Sequence, residues 1–130
     1  MIQFLLLLHA STLVDALAIV GGVPTNWTQT EDGPSARFGH ATSSLGNDKV
    51  LMFGGCSDIH NCDSNNVFND AWIFSLSTNE KTGEETGTWT KTADGPSGRV
   101  GHAMSSLGNG KALMYGGYDG NNSLNDVWIN

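Results

Sequence analysis

Short apolar runs that stop at paired glycines, each followed by a polar stretch and then an alternating aromatic segment, set the pattern of this chain. Val50-Leu51-Met52-Phe53 runs into Gly54-Gly55, and Ala112-Leu113-Met114-Tyr115 runs into Gly116-Gly117. Runs this short, bounded by glycine, read as strands rather than helices. From Ala71 to Leu76 two-residue alternation puts Trp72 and Phe74 on one face of a further strand and Ile73 on the other. An inner strand is predicted over Phe38 to Leu45, a tight turn over Gly46-Asn47-Asp48, and a second strand over Lys49 to Gly54. Farther along, the equivalent turn is Gly108-Asn109-Gly110, where Asn-Gly suits a type I′ hairpin because both central residues need positive φ. Trp89 to Thr92 is predicted as an outer strand, and the polar Ser77 to Thr86 as a solvated loop before it.

The same elements are written twice. Trp27-Thr28, Asp32-Gly33-Pro34-Ser35, Arg37, Gly39-His40 and Gly54-Gly55 return as Trp89-Thr90, Asp94-Gly95-Pro96-Ser97, Arg99, Gly101-His102 and Gly116-Gly117, all 62 positions on. Asn69-Asp70-Ala71-Trp72 matches Asn125-Asp126-Val127-Trp128 at an offset of 56, so the first copy carries six extra residues after its glycine pair. Matches at a fixed period over this length indicate a repeat architecture and outrank local readings.

Each copy resembles a kelch repeat: a hydrophobic strand into Gly-Gly, a polar loop, Asn-Asp-x-Trp, and a further strand opening on Trp. The resemblance covers nearly everything after about Pro24 and implies an all-β fold, with twisted four-stranded antiparallel sheets as the blades of a β-propeller. On that reading residues 25–34 are the outer strand of a closing blade, 35–96 the first full blade and 97–130 an incomplete second one. Asn130 falls inside the expected third strand of that second blade. Propellers close with about four to eight blades, so two readings follow: the opening blades of a longer protein, or copies that self-associate through open blade edges into a ring.

Composition narrows the function. With 17 glycines in 130 residues, tight turns between strands are expected. The net charge of −7 and six scattered Lys and Arg leave no basic patch to neutralise phosphates, so nucleic acid is not an expected partner. Residues 1–18 combine an apolar run, Ile2 to Leu8, with Ala16-Leu17-Ala18, a small-x-small cleavage pattern, and read as a secretory signal peptide. Against that stand the absence of Lys or Arg near Met1 and the presence of Asp15. The alternative is an uncleaved signal-anchor, although polar interruptions leave the run short of the ~20 apolar residues that span a bilayer. A secreted chain, with no membrane insertion once the signal is cleaved, is the expectation.

Secretion gives the remaining motifs their meaning. Asn26-Trp27-Thr28 and Asn121-Asn122-Ser123 are N-glycosylation acceptors at Asn26 and Asn121. Cys56 and Cys62 both lie in the loop that distinguishes copy one, and an oxidising compartment favours a disulfide over free thiols. A zinc site with His60 and Asp58 or Asp63 is the sharper alternative, but zinc pairs usually stand two to four residues apart and a fourth ligand is wanted. His40 and His102 recur at one point of the inner strand, which argues for buried, hydrogen-bonded packing in every blade rather than an active site built once.

The kelch resemblance further implies that the connection bearing Arg37 and Arg99 and the loop after Gly-Gly emerge on one face that commonly binds partners. Arg37, Arg99, His60, Tyr118 and Asn121 are therefore the candidate binding residues. For the two arginines the competing role is a salt bridge between neighbouring blades with Asp70 or Asp126. The function read from the sequence is a non-catalytic binding module for a protein or glycan, with no cofactor and no metal. The enzymatic alternative is a fragment of a galactose-oxidase-like enzyme, which would need histidine and tyrosine ligands converging on copper. Of the two tyrosines, Tyr115 holds a strand position and Tyr118 alone is free. A truncated product without independent activity is the third reading.

Overall fold

The computed structural model describes residues 27–130, so the signal peptide over 1–18 and the acceptor Asn26 lie outside the described residues. Seven strands form two antiparallel sheets. β1 (Ala41–Gly46), β2 (Lys49–Phe53), β3 (Ala71–Thr78) and β4 (Glu85–Lys91) make blade one; β5 (Ala103–Gly108), β6 (Lys111–Tyr118) and β7 (Ser123–Ile129) make blade two. Every strand pairs only with its neighbours in sequence. The fold is thus the all-β, kelch-type architecture the sequence predicts, with one sheet of four strands and one of three.

The hairpins follow from local chemistry. Asn47 and Asp48 (φ 50° and 57°) turn β1 into β2, and Asn109 and Gly110 (φ 52° and 77°) turn β5 into β6. Both are the positive-φ pairs that match strand twist. The outer hairpin is longer than predicted: β3 runs on to Thr78 and β4 starts at Glu85, leaving only Asn79 to Glu84 as loop. Asn79 organises that turn, its Oδ1 accepting from the backbone N–H groups of Lys81 and Thr82, so polar residues on both sides are free to pair as an exposed ladder.

Register gives each sheet two faces. The back face of blade one carries Ser43, Leu45, Leu51, Phe53, Ala71 and Ile73. The front face of blade two carries Met104, Ala112, Met114 and Trp128. These two faces meet, and the hydrophobic core is their seam: Leu45, Leu51, Phe53, Ala71, Ala112 and Met114 are buried there, with Ile73 and Met104 packed against them. β1 and β5 lie side by side at its inner end. An apolar cavity of about 360 Å³ opens toward the outer end, between Ile73 and Pro96 on one side and Trp128 and Ile129 on the other.

The first strand expected in the chain does not form. Residues 27–34 contain no strand, and Trp27 is fully exposed. An outer strand needs an unpaired third-strand edge, and the edge beside this segment is already occupied by β4. Instead the segment lies across blade one, where Glu31 Oε1 accepts from the Trp89 backbone N–H at 2.7 Å and Gly33 sits against the Trp89 indole.

Candidate functional site

Strand direction places the loop Gly54 to Asp70, the inter-blade connection Thr92 to His102, and the turn Asp119 to Asn122 at one end of the sheets. Paired glycines let these segments approach closely. Gly54 and Gly55 hold φ of 66° and 101°, and a side chain at Gly54 would lie 2.6 Å from the Arg99 carbonyl oxygen. That contact admits the bond from the Gly55 N–H to the same oxygen at 2.8 Å, which ties blade one to the start of blade two.

The repeated arginines organise each loop from within. Arg37 donates to both oxygens of Asp70 at 2.5 and 3.0 Å, to the Gly54 carbonyl at 3.0 Å and to Ser35, and its guanidinium stacks 4.1 Å from the Phe68 ring centre. Arg99 repeats this on Asp126 at 2.6 and 2.9 Å, the Gly116 carbonyl at 2.9 Å and Ser97. The Trp72 indole donates to Asp70, and that of Trp128 to Asp126. Arg, Gly-Gly, Asp and Trp, read in the sequence as separate matches, are one network per blade. Burial pulls the Asp70 carboxyl up, but the hydrogen bonds from Arg37 and Trp72 outweigh it and hold it below the usual carboxylate range. Asp126, bonded first by Arg99 and then by Trp128, is held down to about 2.

This geometry corrects the reading of Arg37 and Arg99 as ligand-binding residues. Their side chains are 4% and 0% exposed and their donors are committed. The partners are the aspartates named in the sequence reading, but each bridge closes within its own blade rather than between blades. The histidines differ from expectation as well. His102 is buried in the seam, edge-on to Phe53 with ring centres 5.5 Å apart, yet neither ring nitrogen has a hydrogen-bond partner among the described residues. Burial, and then repulsion from Arg99, lowers its pKa to about 4. Phe53 backbone atoms lie near enough to favour the charged ring slightly, without reaching hydrogen-bonding geometry. His40 is exposed, because blade one has no blade on its front face among the described residues.

Cys56 and Cys62 are joined by a disulfide, Cα to Cα 5.8 Å, at the root of the longer loop. Cys56 is fully buried and its backbone bridges to both Phe38 and Val67. His60 is exposed, its N–H donated to Asp58 in a side-chain-capped turn. Among the described residues no group of three His, Cys, Asp or Glu is arranged to hold a metal ion. Replacing Cys56 with serine is expected to lower stability by about 2 kcal/mol from lost loop-closure entropy, with the strands retained. Thermal melts monitored by circular dichroism check this, and an unchanged melting temperature together with two alkylatable thiols in the wild type would contradict it.

What remains open on this face is a groove between the blades. It has a volume of about 440 Å³ and is lined by Ser64, Val67 and Asn69 from blade one, Ser97 and Gly98 from the connection, and Asp119 and Asn121 from blade two. Gly120 packs so tightly on the backbone of Asp63 and Ser64 that any side chain there would collide. Asp119 Oδ1 accepts from the N–H groups of Asn121 and Asn122, the Asn122 and Asn121 bonds holding its carboxyl below the usual range, while Oδ2 is free among the described residues. Of the predicted binding residues, Asn121 lines this groove, Tyr118 precedes the lining residue Asp119 and is 39% exposed, and His60 is not among its lining. Ser64, Asn69, Ser97 and Asp119 escaped the sequence reading. Only the docking of the Gly120 turn onto the longer loop brings them together.

Comparison with known proteins agrees with this architecture. Residues 11–130 match the KLHDC2/KLHL20/DRC7 Kelch-repeats domain. The chain is similar to tRNA wybutosine-synthesizing protein 4 of Candida albicans, with 33% identity over 102 residues, 78% of this chain and 13% of that protein. It is also similar to Tip elongation aberrant protein 1 of Schizosaccharomyces pombe, 33% identical over 73% of this chain and 8% of that protein, and to Adagio protein 3 of Arabidopsis thaliana, 29% identical over 70% and 14%. The chain thus spans about a seventh or less of each of these relatives.

Proposed function

Because this chain belongs to the kelch-repeat family, we propose that it is a non-catalytic protein-interaction segment whose loop face grips its partner in the groove between the two blades. The observation that carries this reading is the division of labour among polar groups. The arginine and aspartate pairs are committed to the scaffold, whereas Asn69, Asn121, Ser64 and one Asp119 oxygen converge on an open groove without structural duties for those atoms. A free carboxylate oxygen among carboxamides and a hydroxyl suits a cationic or amide-rich peptide. The same donors and acceptors suit sugar hydroxyls, so a glycan is the second candidate. The chain is secreted in this reading, through cleavage of residues 1–18, with the Cys56–Cys62 disulfide as a consequence and Asn121 unglycosylated in the binding form, since a glycan there would fill the groove. The similarity to tRNA wybutosine-synthesizing protein 4 covers 13% of that protein, so no catalytic role is carried over from it.

Panning a displayed peptide library, with a glycan array in parallel, tests the groove. Binders to the wild type should lose at least tenfold in affinity to Asn69→Lys and Asn121→Lys, and keep it toward Glu84→Lys at the opposite end. Equal binding to all three variants would refute the groove.

A further inference from the structure

His102 is buried at the loop end of the seam with no partner for either ring nitrogen among the described residues. Buried polar groups are nearly always paired, and an orphan of this kind marks stored strain or a functional role. The ring stands edge-on to Phe53, and its Cε1 is an atom that a side chain at Gly54 would meet at 3.0 Å. On the other side its Cβ would lie 2.9 Å from a side chain at Gly117. The titratable or charged groups that face it are Arg99 from the connection, itself paired with Asp126, and His40 from the stretch before β1; both oppose a proton on the ring. The same short stretch carries bonds that cross between the blades. Gly55 N–H donates to the Arg99 carbonyl at 2.8 Å, Arg99 N–H to the Phe68 carbonyl at 3.2 Å and Gly101 N–H to the Gly39 carbonyl at 2.8 Å. Gly98 packs on the Val67 carbonyl oxygen and lines the groove together with Ser97.

We propose that His102 is an acid-operated latch on the groove: proton uptake by its ring releases the bonds that join Arg99 and Gly101 to blade one, and the groove floored by Ser97 and Gly98 loses its shape and its hold on a partner. This rests on the reading of that groove as the binding site. Neutral, the ring fits an uncharged slot beside Phe53 and Gly54; charged, it needs water or an acceptor that the slot lacks. Water reaches it when the stretch from Gly98 to His102 lifts from Gly54 and Gly55. The apolar core need not part, because Leu45, Leu51, Ala112 and Met114 lie farther along the strands, toward the hairpin turns. In the lifted state the ring regains its ordinary pKa of 6.5, against about 4 in the closed state. The closed state therefore binds fewer protons throughout that window, and the lifted population grows as the pH falls through it.

Amide hydrogen exchange followed residue by residue by NMR tests this without a partner. Corrected for intrinsic rates, the protection of the Gly55, Arg99 and Gly101 amides should fall by about tenfold per pH unit as the solution is acidified from pH 6.5 toward 4. The opening should be local. These three amides should be less protected than those of the β2–β3 ladder and, at about pH 5, unaffected by about 1 M urea, since a small opening exposes little surface. His102→Phe should make their protection independent of pH; should it fail to fold, His102→Gln, which also has no proton to gain in this range, takes its place. Protection that does not change with pH overturns the latch. So does protection equal to that of the ladder in size and urea dependence, which would mean that acid acts only on the whole fold, or a pH dependence that survives the His102 variant. The groove itself is tested separately by Asn69→Lys and Asn121→Lys, so a failure here strikes the latch alone.

Discussion

Replacing Arg99 with alanine is expected to destabilise the fold by about 1–3 kcal/mol, because it leaves the buried Gly116 carbonyl unpaired, whereas the Asp126 carboxylate, 36% exposed, can turn to water. Domains of this size are stable by only about 5–15 kcal/mol, so the unfolding midpoint should fall clearly. Lysine should not rescue it, since a single ammonium cannot reproduce the paired bonds to both Asp126 oxygens together with the bond to Gly116. Arg37→Ala should cost at least as much, because Asp70 is the more enclosed carboxylate, 15% against 36% exposed, and the stack on Phe68 is lost with it. Urea denaturation followed by tryptophan fluorescence measures both. An Arg99→Ala midpoint within error of the wild type would show that the pair contributes nothing net.

Stability should fall as the solution is acidified from about pH 6.5 to pH 4, by roughly 2–3 kcal/mol, and His102 is the cause. Its folded pKa of about 4 lies below the unfolded value of 6.5. The unfolded chain therefore binds the extra proton throughout that window, and acid favours unfolding. Above pH 6.5 the ring is neutral in both states and the penalty is absent; below pH 4 both states are protonated and the loss is complete. Asp70 and Asp126 act in the same direction but lower down, as pH falls below their usual 3.8, so the two effects separate along the pH axis. His102→Phe keeps a ring against Phe53 and should flatten the dependence between pH 4 and 6.5. A variant as acid-sensitive as the wild type would place the effect elsewhere.

The strand order and the hairpins were legible because each is written locally: apolar runs ended by glycine pairs, and turns of Asn-Asp and Asn-Gly. The disulfide was legible for the same reason, its cysteines being confined to one loop. What the chain concealed depends on which surface lies against which. Arg37 and Arg99 looked like ligand residues because sequence places them beside exposed turns; only the fold shows Asp70 and Asp126 arriving from more than 25 residues away to enclose them. His40 and His102 looked equivalent, yet one is exposed and the other buried, because burial at that position comes from the neighbouring blade and not from its own. Trp27 carried the outer-strand signature but formed no strand, since a signature cannot supply a partner edge. The groove is the extreme case, being the product of one turn docking on another.

The neighbour-to-neighbour pairing of the strands bears on how the molecule is made. Contacts between adjacent stretches of chain cost little loop entropy and form early. Blade one needs nothing beyond Lys91 to complete its ladders, and its cross-linked loop closes within seven residues, so it can assemble on the ribosome while blade two is still being synthesised. Its apolar back, however, waits for Met104, Ala112 and Met114. Between those two moments the nascent chain displays Leu51 and Phe53 to its surroundings, and that interval is when chaperone attention matters most.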